Sequence, residues 1–134
     1  MNKFVATAGI AAALASTVAF AAPASAATNP YTATGVCGSS YHEIDRHSIS
    51  GATVYLMYNG SWNCVVTIKT ADVGTKTDIA AMLDTQTSPP GVYEDQGKYA
   101  YYASGAGPAK GHCVKWGGMS RDDIWESGWE HCGS

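Results

Sequence analysis

The stretch from Ala52 to Thr70, ATVYLMYNGSWNCVVTIKT, decides the fold of this chain. Residues 52–58 are rich in β-branched and aromatic side chains, which predicts a strand. Asn59-Gly60-Ser61 follows, and Asn-Gly is the strongest short signal for a β-hairpin. Residues 62–70 then predict the returning strand, so the stretch forms two antiparallel strands joined by a tight turn.

The returning strand has a two-residue alternation that assigns its faces. The prediction is one buried face with Cys64, Val66 and Ile68, and one mostly wet face with Val65, Thr67 and Lys69.

The flanking sequence predicts further short strands at 41–49, 75–87, 98–103 and 112–116. Residues 75–87 also contain good helix formers, but threonines at both ends of an alternating run favour a strand. Turns are predicted at 72–74, 88–91 and Gln96-Gly97, and a glycine-rich loop at 104–111. The last strand is expected to end at Gly117-Gly118.

Residues 119–134 predict an irregular tail or one short helix, because Ser120 precedes an acidic start and two tryptophans follow at helical spacing. The pattern as a whole indicates an all-β fold. We expect a small, disulfide-clipped antiparallel β-sandwich or barrel with an irregular C-terminal tail.

The N-terminus predicts a secretory signal peptide over residues 1–26. Lys3 precedes an apolar run, and the run ends in the small-residue cleavage pattern Ala24-Ser25-Ala26. Residues 27–35 are small and polar and predict a flexible leader. The remaining residues, 36–134, are enough for a single all-β domain.

The charge balance excludes two classes of partner. Removing Lys3 with the signal peptide leaves seven basic side chains against eleven acidic ones. Nucleic acids and anionic membrane surfaces both require a basic face, so we expect neither as a partner. No second long apolar run follows residue 26, so nothing predicts a membrane anchor after cleavage.

The four cysteines, an even number in a small exported chain, predict two disulfides. Three pairings are possible. The nested pattern, Cys37–Cys132 with Cys64–Cys113, is favoured because it ties the termini together, and the sequential pattern is its close alternative. A zinc site using His112-Cys113 and His131-Cys132 lacks the usual ligand spacings, so no metal and no cofactor is expected.

The richest polar segment is residues 42–47, HEIDRH. In an extended strand Glu43, Asp45 and His47 share one face, and a carboxylate beside an imidazole suits acid–base chemistry. The favoured interpretation is a solvated edge strand of mixed charge, because neither a G-x-S-x-G elbow nor a free cysteine supplies a nucleophile. The acidic tail residues Asp122, Asp123, Glu126 and Glu130 are interpreted as a wet face.

Both phenylalanines, Phe4 and Phe20, lie in the signal peptide, so every aromatic side chain after residue 26 is Tyr, Trp or His. Tyr and Trp combine an apolar face with a polar edge and are common in binding surfaces. The candidate binding surface is Tyr99, Tyr101, Tyr102, Trp116, Trp125 and Trp129. The alternative interpretation is that these side chains straddle core and surface.

Several segments resemble the spore-associated protein A family of Streptomyces and related actinobacteria. They are Cys37-Gly38-Ser39, Asp45-Arg46-His47, ATVYLMYN, NCVVTIKT, YAYYASGAGPAKGHCVKWGG and the closing Glu130-His131-Cys132. The resemblance covers residues 36–132. It implies a small exported protein of hyphal and spore surfaces, with disulfide-bonded cysteines and no catalytic residue to carry over. Residues 119–129 are more charged and richer in tryptophan than this family implies, and a specific partner would bind there.

The leading functional hypothesis is therefore an exported, non-enzymatic protein of the cell or spore surface. The second is a secreted binding module for cell-wall glycan or for a protein such as a protease. The third is a small hydrolase that uses Asp45, His47 and a further residue that the sequence does not identify.

Overall fold

The chain is described by a computed structural model over residues 27–133, whose regular secondary structure is eight β-strands and one short helix. The predicted signal peptide, 1–26, lies outside the described residues. The elements in chain order are α1 (Ala33–Cys37), β1 (His42–Ile49), β2 (Ala52–Tyr58), β3 (Trp62–Lys69), β4 (Thr77–Thr85), β5 (Gly91–Tyr99), β6 (Tyr102–Pro108), β7 (Val114–Ser120) and β8 (Asp123–Glu126). In the described part of the chain, no helix has the length and apolar character needed to cross a membrane.

The strands form two four-stranded antiparallel sheets that pack face to face. The first sheet has the order β1-β2-β3-β6 and the second the order β5-β4-β7-β8. The all-β sandwich is therefore confirmed, and the strands of residues 27–133 do not close into a barrel.

One apolar core fills the space between the sheets. The first sheet contributes Val54, Leu56 and Val65, and the second contributes Ile79, Leu83 and Trp116. Each of these side chains is at most 1% exposed. Burial of side chains of this size contributes about 1.5–3 kcal/mol each, so this cluster is the main source of stability.

Strand β3 is buried on both faces, which corrects the prediction of one wet face. Every residue from Asn63 to Lys69 is buried. Val65 faces the core, whereas Cys64 lies on the outer face, where α1 packs against β3. The alternation therefore separated the two faces correctly but placed the core on the wrong one. The outer face is covered by α1, and nothing in the sequence of β3 itself indicates that cover.

The predicted strand over 75–87 is confirmed as β4. The predicted turn at Gln96-Gly97 is wrong, because β5 continues to Tyr99 and the chain reverses at Ala100-Tyr101. Of the glycine-rich segment predicted as a loop over 104–111, residues 104–108 belong to β6 and only the last residues form a turn. A Cβ atom on Gly107 would lie 2.1 Å from the ring of Tyr93, so this glycine permits a close approach of β5 and β6.

The tail also differs from its prediction. Strand β7 continues through Gly117-Gly118, and Asp123–Glu126 forms strand β8 instead of a helix. A Cβ atom on Gly118 would lie 2.4 Å from Thr67 Oγ1 in the opposite sheet. A Cβ atom on Gly117 would lie 2.2 Å from the backbone oxygen of Trp125. These glycines continue the strand where neighbouring backbone and side chains come too close for any larger residue.

The favoured nested disulfide pattern is wrong, and the sequential alternative is present. Cys37 is bonded to Cys64 with a Cα–Cα distance of 6.0 Å, and Cys113 is bonded to Cys132. Cys64 points outward from the first sheet, whereas Cys113 precedes β7 in the second sheet. Because Cys64 points away from the second sheet and is bonded to Cys37 on the outer face, its side chain is not positioned to reach Cys113.

Peptide mapping of the oxidised protein without reduction is expected to recover Cys37 linked to Cys64 and Cys113 linked to Cys132. The bonds close segments of 27 and 19 residues, for which chain entropy gives roughly 3–4 kcal/mol of stabilisation each. Replacing either pair by serine should therefore lower the urea midpoint of unfolding. A recovered peptide that joins Cys64 to Cys113 would contradict the sandwich described here.

Candidate functional site

An open groove of ≈ 430 Å³ lies where β5 turns into β6. We call it the tyrosine groove and define it by Tyr31, Asp95, Tyr99, Tyr101 and Tyr102. Three of these residues belong to the predicted binding surface. They come together because only Ala100 and Tyr101 separate β5 in one sheet from β6 in the other.

Tyr31 reaches the groove from the segment that the sequence predicts as a flexible leader. Its ring centroid lies 5.3 Å from that of Tyr101 and 4.9 Å from that of Tyr102. The neighbouring Asn29 side chain donates hydrogen bonds to the backbone oxygens of Lys69 and Tyr101, at 3.0 and 2.9 Å. These bonds hold the segment against the sandwich, and the aromatic side chain of Tyr31 stays 44% exposed.

Asp95 provides the acidic group of the groove. The Tyr99 hydroxyl donates a hydrogen bond to Asp95 Oδ1, and the backbone N–H of Ser104 donates to Oδ2 at 3.1 Å. The hydrogen bond to Asp95, followed by burial, raises the pKa of Tyr99 above its usual value. The groove thus offers apolar aromatic faces beside an oriented carboxylate, a combination suited to hydroxyl-rich ligands.

Lys69 holds the backbone of Tyr99, one of the residues of the tyrosine groove. Its side chain is buried, and Nζ donates to the backbone oxygens of Asp72, Thr75 and Tyr99, the first at 3.0 Å and the last at 3.2 Å. Burial lowers the pKa of Lys69 below its usual value. Because Nζ donates these three hydrogen bonds, the charged side chain of Lys69 is tolerated inside the protein, although it was predicted to lie on the wet face of β3.

Lys69→Met is expected to lower the free energy of unfolding by about 1–3 kcal/mol, because it removes three partly buried hydrogen bonds that a charged group donates to backbone oxygens. Lys98→Met, which removes an exposed lysine paired with Asp78, is the matched control and should change stability little. Urea unfolding of both variants measures the difference.

The difference in unfolding free energy between the unsubstituted protein and Lys69→Met should also change with pH, in a direction that the pKa shift of Lys69 fixes. The folded state lowers the pKa of Lys69, so the unfolded state binds more protons just below the ordinary lysine pKa. The stability advantage of the unsubstituted protein over Lys69→Met should therefore grow as pH rises towards about 10.4. An advantage that shrinks over this range would contradict a buried, desolvated ammonium group.

A second cluster lies at the other edge of the sandwich, between β1 and β8. We call it the edge cluster and define it by Asp45, His47, Trp125, Glu130 and His131. The rings of His47 and Trp125 are stacked with a centroid distance of 3.8 Å and an interplanar angle of 10°. Trp125 also meets Trp116 edge to face at 4.8 Å, which extends the buried core to the cluster.

The polar half of the edge cluster joins the two sheets. His131 Nε2 lies 2.9 Å from Asp45 Oδ2 and 3.7 Å from Glu130 Oε1. The indole N–H of Trp116 donates to Glu130 Oε1 at 2.7 Å. Glu130 therefore contacts the core through the Trp116 indole, although its side chain stays 43% exposed.

The three residues predicted to share a face in β1 do not do so. The register of β1 shifts between Glu43 and Asp45, so Glu43 is paired with Met57 whereas Asp45 is paired with Leu56. The bulge puts Glu43 on the outer face, where it forms an ion pair with Arg46. Asp45 and His47 face the sandwich interior, but Asp45 contacts His131 and His47 contacts Trp125.

The six predicted aromatic residues are thus divided between two places. Tyr99, Tyr101 and Tyr102 line the tyrosine groove, and Trp125 belongs to the edge cluster. Trp116 is 1% exposed and belongs to the core, so it cannot present a binding surface. Trp129 is 43% exposed, with Lys115 Nζ lying 4.9 Å from the centre of its ring.

Tyr31 and Asp95 do not appear among the residues predicted from the sequence, which placed Glu130 on a wet face and His131 only in a rejected zinc site. A local signal exists for only two of these four residues. Tyr31 is the one aromatic residue in an otherwise small and polar segment, and His131 adjoins a cysteine. Asp95 and Glu130 reach their partners through strand pairing and chain reversal, which short-range patterns do not specify.

The chain is 40% identical over 121 residues to the spore-associated protein A of Streptomyces coelicolor, with 83% of this chain and 75% of that protein covered. The chain belongs to the spore-associated protein A family. This confirms the resemblance seen in the sequence. No protein-family model and no solved structure matches this chain.

Proposed function

We propose that this member of the spore-associated protein A family is an exported, non-enzymatic protein of the spore or hyphal surface of an actinobacterium. The observation that carries the proposal is the similarity to a spore-associated protein, together with the disulfides of this chain. Disulfides form and persist in oxidising compartments outside the cytosol, which supports export.

The position of the disulfides supports a protein built to persist. Cys37–Cys64 fastens the N-terminal segment and α1 to the outer face of β3, and Cys113–Cys132 fastens the C-terminal segment to the start of β7. Terminal segments are usually where local unfolding and proteolysis begin. A covalent bond near each end restricts both processes, and this suits a dry or protease-rich surface.

A tagged full chain expressed in a sporulating actinobacterium tests this proposal. Washed spores and aerial hyphae should retain the protein, and mass spectrometry should find Ala27 as its first residue after removal of residues 1–26. The cytosolic fraction should contain little of it.

The matched control is the same tagged chain with Cys113 and Cys132 both replaced by serine. We expect it to be degraded or depleted on spores, because the C-terminal segment is no longer fastened. Recovery of the unsubstituted protein in the cytosol with residues 1–26 attached would refute export. Recovery only in the culture fluid would refute a surface role.

A second candidate function, a glycan-binding module, is favoured by the tyrosine groove. Tyr31 is exposed and the other three tyrosines are partly exposed, Asp95 is oriented as an acceptor, and Asn29 and Lys69 hold the adjoining backbone. Sugars stack their apolar faces on aromatic rings and hydrogen-bond at their edges, so a wall polysaccharide has the chemistry that this groove accepts.

Titration with soluble peptidoglycan fragments measures this activity. A Tyr31→Ala and Tyr101→Ala double variant is expected to bind about tenfold more weakly, since each lost aromatic contact removes about 0.5–1.5 kcal/mol. Tyr58→Ala, on β2 outside the groove, is the control and should bind like the unsubstituted protein. Equal binding by all three proteins, or binding by none, would eliminate the groove as a glycan site.

A further inference from the structure

We infer that Asp45, Glu130 and His131 of the edge cluster form a binding site for a divalent transition-metal ion. One ligand atom from each residue can be chosen so that all three atoms lie within 4.8 Å of one another. The three side chains are each partly exposed, so an ion can enter from solvent. The inference is independent of the proposed surface function and of the tyrosine groove.

The separations between the ligand atoms suit a single ion. His131 Nε2 lies 2.9 Å from Asp45 Oδ2 and 3.7 Å from Glu130 Oε1. Zinc binds nitrogen and oxygen ligands at about 2.0–2.2 Å, so ligand atoms that share one ion lie about 3–3.5 Å apart. The two separations from His131 Nε2 lie on either side of this spacing.

Both carboxylates are oriented by fixed donors. The Trp116 indole N–H donates to Glu130 Oε1 at 2.7 Å, and the backbone N–H of Arg46 donates to Asp45 Oδ1 at 2.8 Å. Asp45 Oδ2 consequently faces His131. Outer hydrogen bonds of this kind orient metal ligands in established sites, and their presence distinguishes this cluster from unsupported surface acids.

The backbone around His131 is also held in place. Glu130 exchanges two hydrogen bonds of 2.9 Å with Val114, and Cys132 is disulfide-bonded to Cys113. His131 lies between these two attachments with φ of 54°, a left-handed conformation in which His, Asn and Asp are the commonest residues after glycine. The imidazole is therefore presented from a constrained position rather than from a loose end.

The ligand set indicates the class of ion. An imidazole with two carboxylates suits Zn²⁺ and similar transition-metal ions better than Ca²⁺, which prefers six to eight oxygen ligands. The two carboxylates balance the charge of a divalent ion. Three protein ligands leave a position for water or for a group from another molecule.

The ion would connect the two sheets. Asp45 belongs to β1 of the first sheet, and Glu130 is paired with Val114 of β7 in the second. A bound ion would add a bridge at the edge that His47 and Trp125 already cover. Because binding to the folded state alone stabilises that state, the melting temperature should rise with zinc concentration.

Calorimetric titration of the oxidised protein, purified from an actinobacterial host, with ZnCl₂ tests the site. We expect one ion per chain, tighter binding of Zn²⁺ than of Ca²⁺, and a rise in melting temperature. Asp45→Asn and His131→Asn should each weaken zinc binding at least ~10-fold, as even changes in outer-shell partners often do. Asparagine at position 131 keeps a residue that tolerates positive φ.

The matched controls are Asp122→Asn and His112→Asn. His112 adjoins a disulfide-bonded cysteine as His131 does, but it is exposed. Both controls should bind zinc like the unsubstituted protein. The inference is overturned if Zn²⁺ does not bind, if Asp45→Asn and His131→Asn bind it unchanged, if the controls lose binding equally, or if Ca²⁺ binds more tightly.

Discussion

Two four-stranded sheets share one apolar core, and the contacts that cover this core at the two edges between the sheets shape the protein. At one edge the chain itself crosses from β5 to β6 through Ala100 and Tyr101. At the other edge, within residues 27–133, no connection links β1 directly to β8, and side chains cover the gap. The stack of His47 on Trp125 covers the apolar interior there, and the Asp45–His131 contact lies beside it.

The terminal segments complete the closure. Residues 29–37 add a covering layer outside β3, where Asn29 and the Cys37–Cys64 bond hold them. The C-terminal segment places Glu130 and His131 at the edge between β1 and β8, and the Cys113–Cys132 bond holds this segment there. A domain of this size buries only about two-thirds of its unfolded surface, so these outer contacts and bonds are a substantial addition to its core.

The closure of each edge also creates the chemical features of the surface. The reversal between β5 and β6 assembles three tyrosines with Tyr31 around Asp95, and the contact across the β1–β8 edge assembles an imidazole with two carboxylates. The two clusters are separated by the width of a four-stranded sheet, about 14 Å at the usual strand spacing. A glycan in the groove and an ion at the opposite edge would therefore bind without excluding each other.

The sequence by itself determined the all-β class, the hairpin of β2 and β3, the strand nature of 77–85, the oxidised state of the cysteines and the family. These properties depend on residue type and on periodicity over a few positions. Only the tertiary structure decided which face of β3 meets the core, which cysteines pair, that most of the glycine-rich segment is a strand, and that Asp45 contacts His131 rather than His47. Asp45 and His131 are 86 residues apart, and a bulge at Ile44 sets which way Asp45 points. Such contacts follow from the packing of whole sheets, which no short pattern encodes.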